Sequence, residues 1–295
     1  MDNKVQLTGI RKRLLYTPMA IQEIIARVSG WLPASLKTAL RGDSESPNRL
    51  ANMIHSLLNR VPADRYPILP CAGELEGYRM RVDWQIHRSF AYCSWEPEVV
   101  DMIKEEVTVG MTVLDLGAQS GFYSLLLSKL VGPTGNVIAF EPLPANYRML
   151  EENLHLNRIT NVTVERAAVT DHSGETSFDF PVHAPWLIAG PVLESDNQGT
   201  FTVPSVSIDD FMAQRRIPVH FIKMDVEGAE VMVLKGSKRT LEEFHPILAI
   251  ELHSDQPESP SLAIPVRLRE LGYQVRWLRE GRHNSHILAT WENES

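Results

Sequence analysis

The segment Val113-Leu114-Asp115-Leu116-Gly117-Ala118-Gln119-Ser120-Gly121-Phe122-Tyr123 is an apolar strand that turns through two glycines into a helix. Such a turn opens a ligand site at the carboxyl edge of a sheet, because it leaves backbone bare where side chains would otherwise stand. The strand half of the pattern recurs at 112–116, 137–141, 162–167, 220–224 and 247–252, all short and rich in Val, Ile and Leu. Helical patterns at 123–130 and 145–156 lie between them, the second stopped by Asn157. Buried strands alternating with crossover helices predict an α/β fold with a doubly wound, mostly parallel sheet. The runs 273–277 and 287–291, joined by a Gly/His/Asn turn, predict a closing hairpin.

Pro62, Pro67, Pro70 and Gly73 mark a boundary, so a helical N-terminal extension is expected over 1–70 and the main domain over 71–295. A lead-in strand is expected at 78–82. Residues 1–65 hold ten Lys/Arg against five Asp/Glu, whereas the whole chain has net charge −8. In that basic segment Ile21, Ile24, Ile25, Val28, Trp31 and Leu32 recur at helical spacing, and 47–58 suggests a second short helix. Such helices pack on the main domain, or they present a face to a partner or a membrane surface. An acidic chain lacks the dense basic face that a nucleic-acid backbone requires, so DNA and RNA are excluded as partners. No uncharged apolar run approaches the roughly 20 residues of a membrane span, and the N-terminus does not read as a secretory signal. Cys71 and Cys93 form no Cys-x-x-Cys pair, which excludes a disulfide framework and a thiolate zinc site. A cytoplasmic location fits.

The glycine spacing is Asp-x-Gly-x-x-x-Gly, with Gln119 and Phe122 standing where a dinucleotide fingerprint from Gly117 needs glycine. A pyrophosphate would meet side chains there. Asp115 adds a carboxylate that repels a diphosphate and attracts an ammonium group. Glu141 stands twenty residues after Gly121 and is followed by Pro142, which ends the strand so that the carboxylate faces the crevice, able to accept both hydroxyls of a ribose. Ala168, in Arg166-Ala167-Ala168-Val169 at the expected end of the third strand, leaves room for an adenine ring. Each feature alone has an ordinary structural explanation: a tight turn, a helix cap, a solvated carboxylate. Their joint order describes a ligand with an ammonium end, a ribose and a base, S-adenosyl-L-methionine.

Over about residues 74 to 291 the chain resembles the class I S-adenosylmethionine-dependent methyltransferases, and within them the FkbM-type family. The resemblance is carried by 113–124, by Val137-Ile138-Ala139-Phe140-Glu141-Pro142, and by Ile222-Lys223-Met224-Asp225-Val226-Glu227-Gly228-Ala229-Glu230 with Val233-Leu234-Lys235-Gly236. It implies a Rossmann-like three-layer αβα sandwich whose seven-stranded sheet ends in an antiparallel strand. It further implies Asp115, Gly117 and Gly121 at the methionine portion, with Ala118 and Phe122 in the same turn, Glu141 at the ribose, and methylation of a hydroxyl oxygen. Gln119 and Arg166 depart from the family's frequent Asn at both positions.

Methyl transfer is an in-line displacement, so holding acceptor oxygen, methyl and sulfur collinear supplies much of the acceleration. An alcohol also needs a base or a polarising metal. Asp225 ends one strand, while Glu251 and His253 lie two apart at the end of the next, hence on one face. Glu227 and Glu230 follow Asp225 into an expected helix, where acidic residues also serve as caps. Asp225, Glu227, Glu251 and His253 are therefore the catalytic candidates, His253 as a base titrating near neutrality. Lys223 is expected in an ion pair with one of these carboxylates. A divalent cation on Asp225, Glu251 and His253 is a further option, since carboxylate oxygens suit hard cations.

The segment 181–204, with His183, Trp186, Gly190 and Gly199, is long enough for a lid over the acceptor, and Ser207-Ile208-Asp209-Asp210 begins a helix with a capping pattern. Tyr92 and Trp95 flank the cofactor entrance or simply pack. The expected function is O-methylation of a hydroxyl on a small molecule, glycan or lipid. An NAD-dependent oxidoreductase or sugar-nucleotide enzyme is disfavoured by the glycine spacing. Serine hydrolysis is disfavoured because Gly117-Ala118-Gln119-Ser120-Gly121 is not Gly-x-Ser-x-Gly. A non-catalytic S-adenosylmethionine-binding module is the third class.

Overall fold

The computed structural model describes residues 68–82, 90, 95–179, 200–215, 217–253, 263–281 and 284–291. The helices expected within 1–65, Tyr92, and the loop residues His183, Trp186, Gly190 and Gly199 lie outside the described residues. The chain divides into two compact units, with the described residues through Trp95 in one and Glu96 onward in the other.

In the first unit, β1 (Ile68–Pro70) pairs antiparallel with β2 (Arg79–Arg81) across a 3₁₀ turn at Gly73–Leu75. This is the lead-in hairpin. Trp95 packs edge-on against Phe90, ring centroids 5.3 Å apart.

The second unit begins with α1 (Pro97–Glu106), a one-faced helix burying Val99, Val100, Met102 and Ile103. Then come β3 (Thr112–Leu116), α2 (Phe122–Val131), β4 (Asn136–Phe140), α3 (Pro144–Leu156) and β5 (Val162–Glu165). All five residues of β3 are buried, as its unbroken apolar run requires of a strand covered on both faces. Next follow β6 (Ala168–Val169), β7 (Gly174–Asp179), β8 (Thr200–Val206), α4 (Ile208–Arg215) and β9 (Phe221–Met224). Ser207 Oγ accepts the Asp210 N–H at 3.2 Å, capping α4 where the sequence placed a helix start. The unit closes with α5 (Glu230–Lys235), α6 (Lys238–Phe244), β10 (Ile247–His253), α7 (Ile264–Glu270), β11 (Tyr273–Arg279) and β12 (Asn284–Trp291).

The main sheet has the order β11-β12-β10-β9-β3-β4-β5. Strands β10, β9, β3, β4 and β5 run parallel, and β12 enters antiparallel between β10 and β11. The Rossmann-like sheet with an antiparallel final strand is as expected. Its core includes Leu114, Leu116, Ile138, Phe140, Ile222, Met224, Ile250 and Leu252, with Phe140 and Phe211 meeting edge-on at 4.9 Å. Burial of each such side chain contributes about 1.5–3 kcal/mol.

Strand order reverses between β3 and β9: the chain moves outward to β4 and β5, then returns to the other side of β3. The crevice beyond the carboxyl ends of β3 and β9 is the switch point at which open α/β sheets bind ligands.

Two expectations need correction. The third strand ends at Glu165, and Ala168 belongs instead to β6, which pairs parallel with β8 in a separate three-stranded sheet β6-β8-β7. Glu165 and Arg166 divide the stretch 162–169 into two short apolar pieces, and each piece takes the partner strand that lies alongside it. The expected loop 181–204 also ends early, since Thr200 onward is β8, paired with β7.

Candidate active site

The turn after β3 is shaped by two close approaches. Gly117 has φ +82°, and a Cβ built there would overlap the carbonyl oxygen of Asp225. Only glycine lets the first loop lie against the end of β9. Gly121 has φ +92°, and a Cβ would stand 2.5 Å from Leu150 Cδ1 on α3. The Gly117 and Ala118 N–H groups both donate to the Phe140 carbonyl, at 3.0 and 2.9 Å. The turn is thereby tied to the end of β4.

Glu141, immediately after β4, completes that attachment. Its Oε2 accepts the Gln119 N–H at 2.8 Å, and its Oε1 accepts the Leu143 N–H at 2.9 Å with Asn146 Nδ2 at 3.4 Å. Burial pushes the Glu141 carboxyl up to about 7 although these bonds favour its charged form. Asp115 on β3 is completely buried; its Oδ2 accepts the Ser124 hydroxyl at 2.6 Å, while its Oδ1 has no hydrogen-bond partner among the described residues. Burial raises its pKa and the Lys223 ammonium opposes the rise. A buried carboxylate oxygen without a donor, beside a loop that admits no side chain at Gly117, suits a cationic ligand. Ala118 and Phe122 are buried within this turn and Pro142 follows Glu141 directly, whereas Ala168 lies on the second sheet.

The other wall comes from β9 and β10, which are paired neighbours with Met224 opposite Ile250. Asp225 therefore meets Glu251 and His253, as their positions at the two strand ends anticipated. Lys223 Nζ lies 3.1 Å from Asp225 Oδ2, the expected ion pair, and 4.5 Å from the centroid of the Tyr123 ring. Around His253 the carboxylates form a ring: Nε2 is 3.4 Å from Glu227 Oε2, 3.6 Å from Glu251 Oε1 and 3.7 Å from Asp225 Oδ1. From behind, Glu230 Oε1 takes Nδ1 at 2.8 Å and the Gly228 N–H at 2.9 Å.

This arrangement departs from the sequence reading in two ways. Glu227 is not helical: it sits at φ +52° in the turn before α5, so it does not share a helix face with Glu230. His253 is not a near-neutral base. Burial works against its charge, but the Glu230 hydrogen bond and the Asp225, Glu227 and Glu251 carboxylates outweigh it and push the imidazole up to about 10. Glu227 is displaced in the same sense, raised to about 7 by burial and then by Asp225, with His253 opposing. Lys223 and His253 hold Asp225 below the usual carboxylate range against its burial.

Glu230 stands in the block 222–230 that carries the family resemblance and otherwise reads as a helix-start acid, and nothing local marks it as the partner of a distant histidine. Glu96 and His286 carried no motif at all, and Tyr123 stood only at the end of the glycine-turn segment. They cluster beside Glu251: Tyr123 Oη donates to Glu96 Oε2 at 2.6 Å, and His286 Nε2 lies between Glu96 and Glu251. Among the described residues, two three-residue groups bring metal-ligand atom types within 4.8 Å of one another, Asp225 with Glu251 and His253, and Glu96 with Glu251 and His286.

The family model for the methyltransferase FkbM domain matches residues 115–275. The chain belongs to the FkbM methyltransferase family. Among curated proteins, the hexuronic acid methyltransferase AglP of Haloferax volcanii is 26% identical over 193 residues, covering 63% of this chain and 75% of AglP. Among solved structures, a methyltransferase FkbM from Methylobacillus flagellatus superposes with TM-score 0.46 at 18% identity, over 81% of this chain and 59% of that one. An S-adenosylmethionine-dependent methyltransferase from Aquifex aeolicus superposes with TM-score 0.42 at 21% identity, over 70% of this chain and 93% of that one. As a member of that family, the chain is a methyltransferase that uses S-adenosylmethionine. None of the helices among the described residues is long and apolar enough to cross a membrane.

Proposed function

We propose that this FkbM-family enzyme methylates a hydroxyl oxygen of a sugar or glycan. The observation that carries the reading is the contact of Gly117 with the Asp225 carbonyl, which puts the cofactor turn and the carboxylate ring around His253 at one switch point. Bound there, S-adenosylmethionine supplies an activated methyl group on a sulfonium. Asp115 Oδ1 receives the ammonium end, over the turn formed by Gly117, Ala118, Gly121 and Phe122. Each carboxylate oxygen has two lone pairs, so Glu141, kept at the end of β4 by Pro142, accepts the ribose hydroxyls while retaining its backbone bonds.

Glu227, the most exposed carboxylate of the ring with its side chain 48% accessible, takes the proton of the acceptor hydroxyl. Asp225 and Glu251 orient that hydroxyl by accepting from it and from its neighbours, which suits a polyhydroxylated acceptor. His253, charged and held by Glu230, keeps the three carboxylates together against their mutual repulsion. AglP is named for a hexuronic acid, which supports a sugar acceptor. The acidic ring, however, repels a carboxylate at the reacting position, and this favours a hydroxyl as the group methylated.

The test is incubation of the full chain with S-adenosylmethionine and two acceptor sets, neutral oligosaccharides and hexuronic acids, with products read by mass spectrometry. Alkali-stable methyl ethers are expected. Alkali-labile methyl esters, or no methylated sugar from either set, would reject the reading.

A further inference from the structure

We propose that Glu96, Glu251 and His286 form a site for one divalent transition-metal cation, buried beside the carboxylate ring and sharing Glu251 with it. Glu96 precedes α1, Glu251 lies on β10, and His286 stands opposite Glu251 in the register of β12. All three are more than nine-tenths buried, at 8%, 6% and 4% exposure, and they line one small cavity with Lys223.

The imidazole of His286 faces both carboxylates: Nε2 lies 3.2 Å from Glu96 Oε1 and 3.4 Å from Glu251 Oε2, while Nδ1 has no hydrogen-bond partner among the described residues. Metal–ligand bonds of about 2.0–2.2 Å place neighbouring donors on one ion about 3–3.5 Å apart. The observed spacings fall within that range.

The remaining carboxylate oxygens are engaged elsewhere. Glu96 Oε2 accepts the Tyr123 hydroxyl at 2.6 Å, and Glu251 Oε1 accepts Asn284 Nδ2 at 2.7 Å. In each carboxylate the oxygen away from His286 is held by a donor, leaving the other free to face the imidazole. Outer hydrogen bonds of this type orient the carboxylate ligands of metal sites.

The charge balance points the same way. Two carboxylates with a protonated His286 leave one net negative charge in a nearly solvent-free pocket, whereas a divalent ion with neutral imidazole leaves none. Lys223 lines the same cavity and its charge reaches Glu96 and Glu251, but its ammonium is bonded to Asp225, at 3.1 Å. Two oxygens and one imidazole nitrogen suit Mn²⁺, Fe²⁺ or Zn²⁺. The ion would tie the start of α1 to β10 and β12, and would fix the Glu251 side chain, whose other oxygen faces His253.

The experiment is a titration of chelator-treated full-length protein with Mn²⁺ followed by electron paramagnetic resonance, and with Zn²⁺ followed by calorimetry. One ion per folded chain is expected from either probe, together with a raised melting temperature. His286→Gln is expected to weaken binding at least tenfold and to abolish the thermal shift, while His253→Gln leaves both unchanged. Glu96→Gln is the second variant should His286→Gln fail to fold, as judged by circular dichroism. Absence of stoichiometric binding with both probes, which would leave His286 as an imidazolium clasped by two carboxylates, overturns the proposal. Binding that survives His286→Gln and Glu96→Gln but is lost in His253→Gln overturns it as well, since the ion would then sit in the outer ring.

Discussion

Nδ1 of His253 lies 2.8 Å from Oε1 of the completely buried Glu230, and this one bond sets which way the imidazole faces. An ionised carboxylate only accepts, so Nδ1–H donates and Nε2 is turned toward Asp225, Glu227 and Glu251. The same Glu230 oxygen accepts the Gly228 N–H, so the histidine and the turn that carries Glu227 share an anchor.

Glu230→Ala removes the buried partner of a charged group and is expected to cost about 3–5 kcal/mol near neutral pH. His253 has a folded-state pKa raised to about 10, so its contribution is complete below its unfolded value and is lost as pH rises through about 10. The deficit of Glu230→Ala should therefore be largest on the acid side of neutrality and shrink toward pH 10. Urea denaturation across that range checks it; equal stability of variant and parent at pH 6 would sink the assignment.

With Glu227 as proton acceptor, turnover should climb with pH through about 7 and then level, because the carboxylate must be ionised to act. Glu227→Gln should lower kcat by about 10²-fold or more and remove that inflection. A parent profile that falls across the same range would assign the proton transfer elsewhere.

Two glycine substitutions separate steric conflict from backbone strain. Gly117→Ala combines a positive φ with overlap against the Asp225 carbonyl, and is expected to cost about 2–4 kcal/mol and to abolish S-adenosylmethionine binding. Gly228→Ala also stands at positive φ, +97°, but its Cβ meets nothing within 4 Å, so only the strain of about 1–2 kcal/mol remains. Thermal melts and calorimetry should distinguish them; matching losses would mean that the Gly117 contact is unimportant.

Glu141→Ala leaves the Gln119 and Leu143 N–H groups without their acceptor. S-adenosylmethionine affinity should fall at least about tenfold, the equivalent of one lost hydrogen bond to a charged group, and exchange of the Gln119 amide should accelerate. Calorimetry with S-adenosylmethionine and NAD provides the control: an undiminished affinity, or binding of NAD instead, would discard the ribose role.

Much of the fold was legible because its signals are local. The Val113 to Leu116 run, the Gly117 and Gly121 turn and the Ser207 cap each act within a few residues of themselves, and the structure has them in place. The errors came where the signal is not local. Ala168 stands only three residues beyond Glu165 yet pairs with Ser205 in a different sheet, and Glu227 keeps helix spacing from Glu230 yet lies in a left-handed turn.

Periodicity and turn chemistry, read along the chain, were enough to establish the alternating α/β architecture and the glycine loop beside Asp115. The placement of Asp225, Glu251 and His253 at strand ends followed from the same pattern, since side-chain direction is a property of the strand itself. The environment of those groups was decided only by folding. The placement of the first residue of α5 against the end of β10 brings Glu230 to His253, and insertion of β12 beside β10 brings His286 to Glu251. Charge is a long-range property in a medium from which water has been removed, so a histidine that titrates near neutrality as an isolated side chain becomes a fixed cation among four carboxylates.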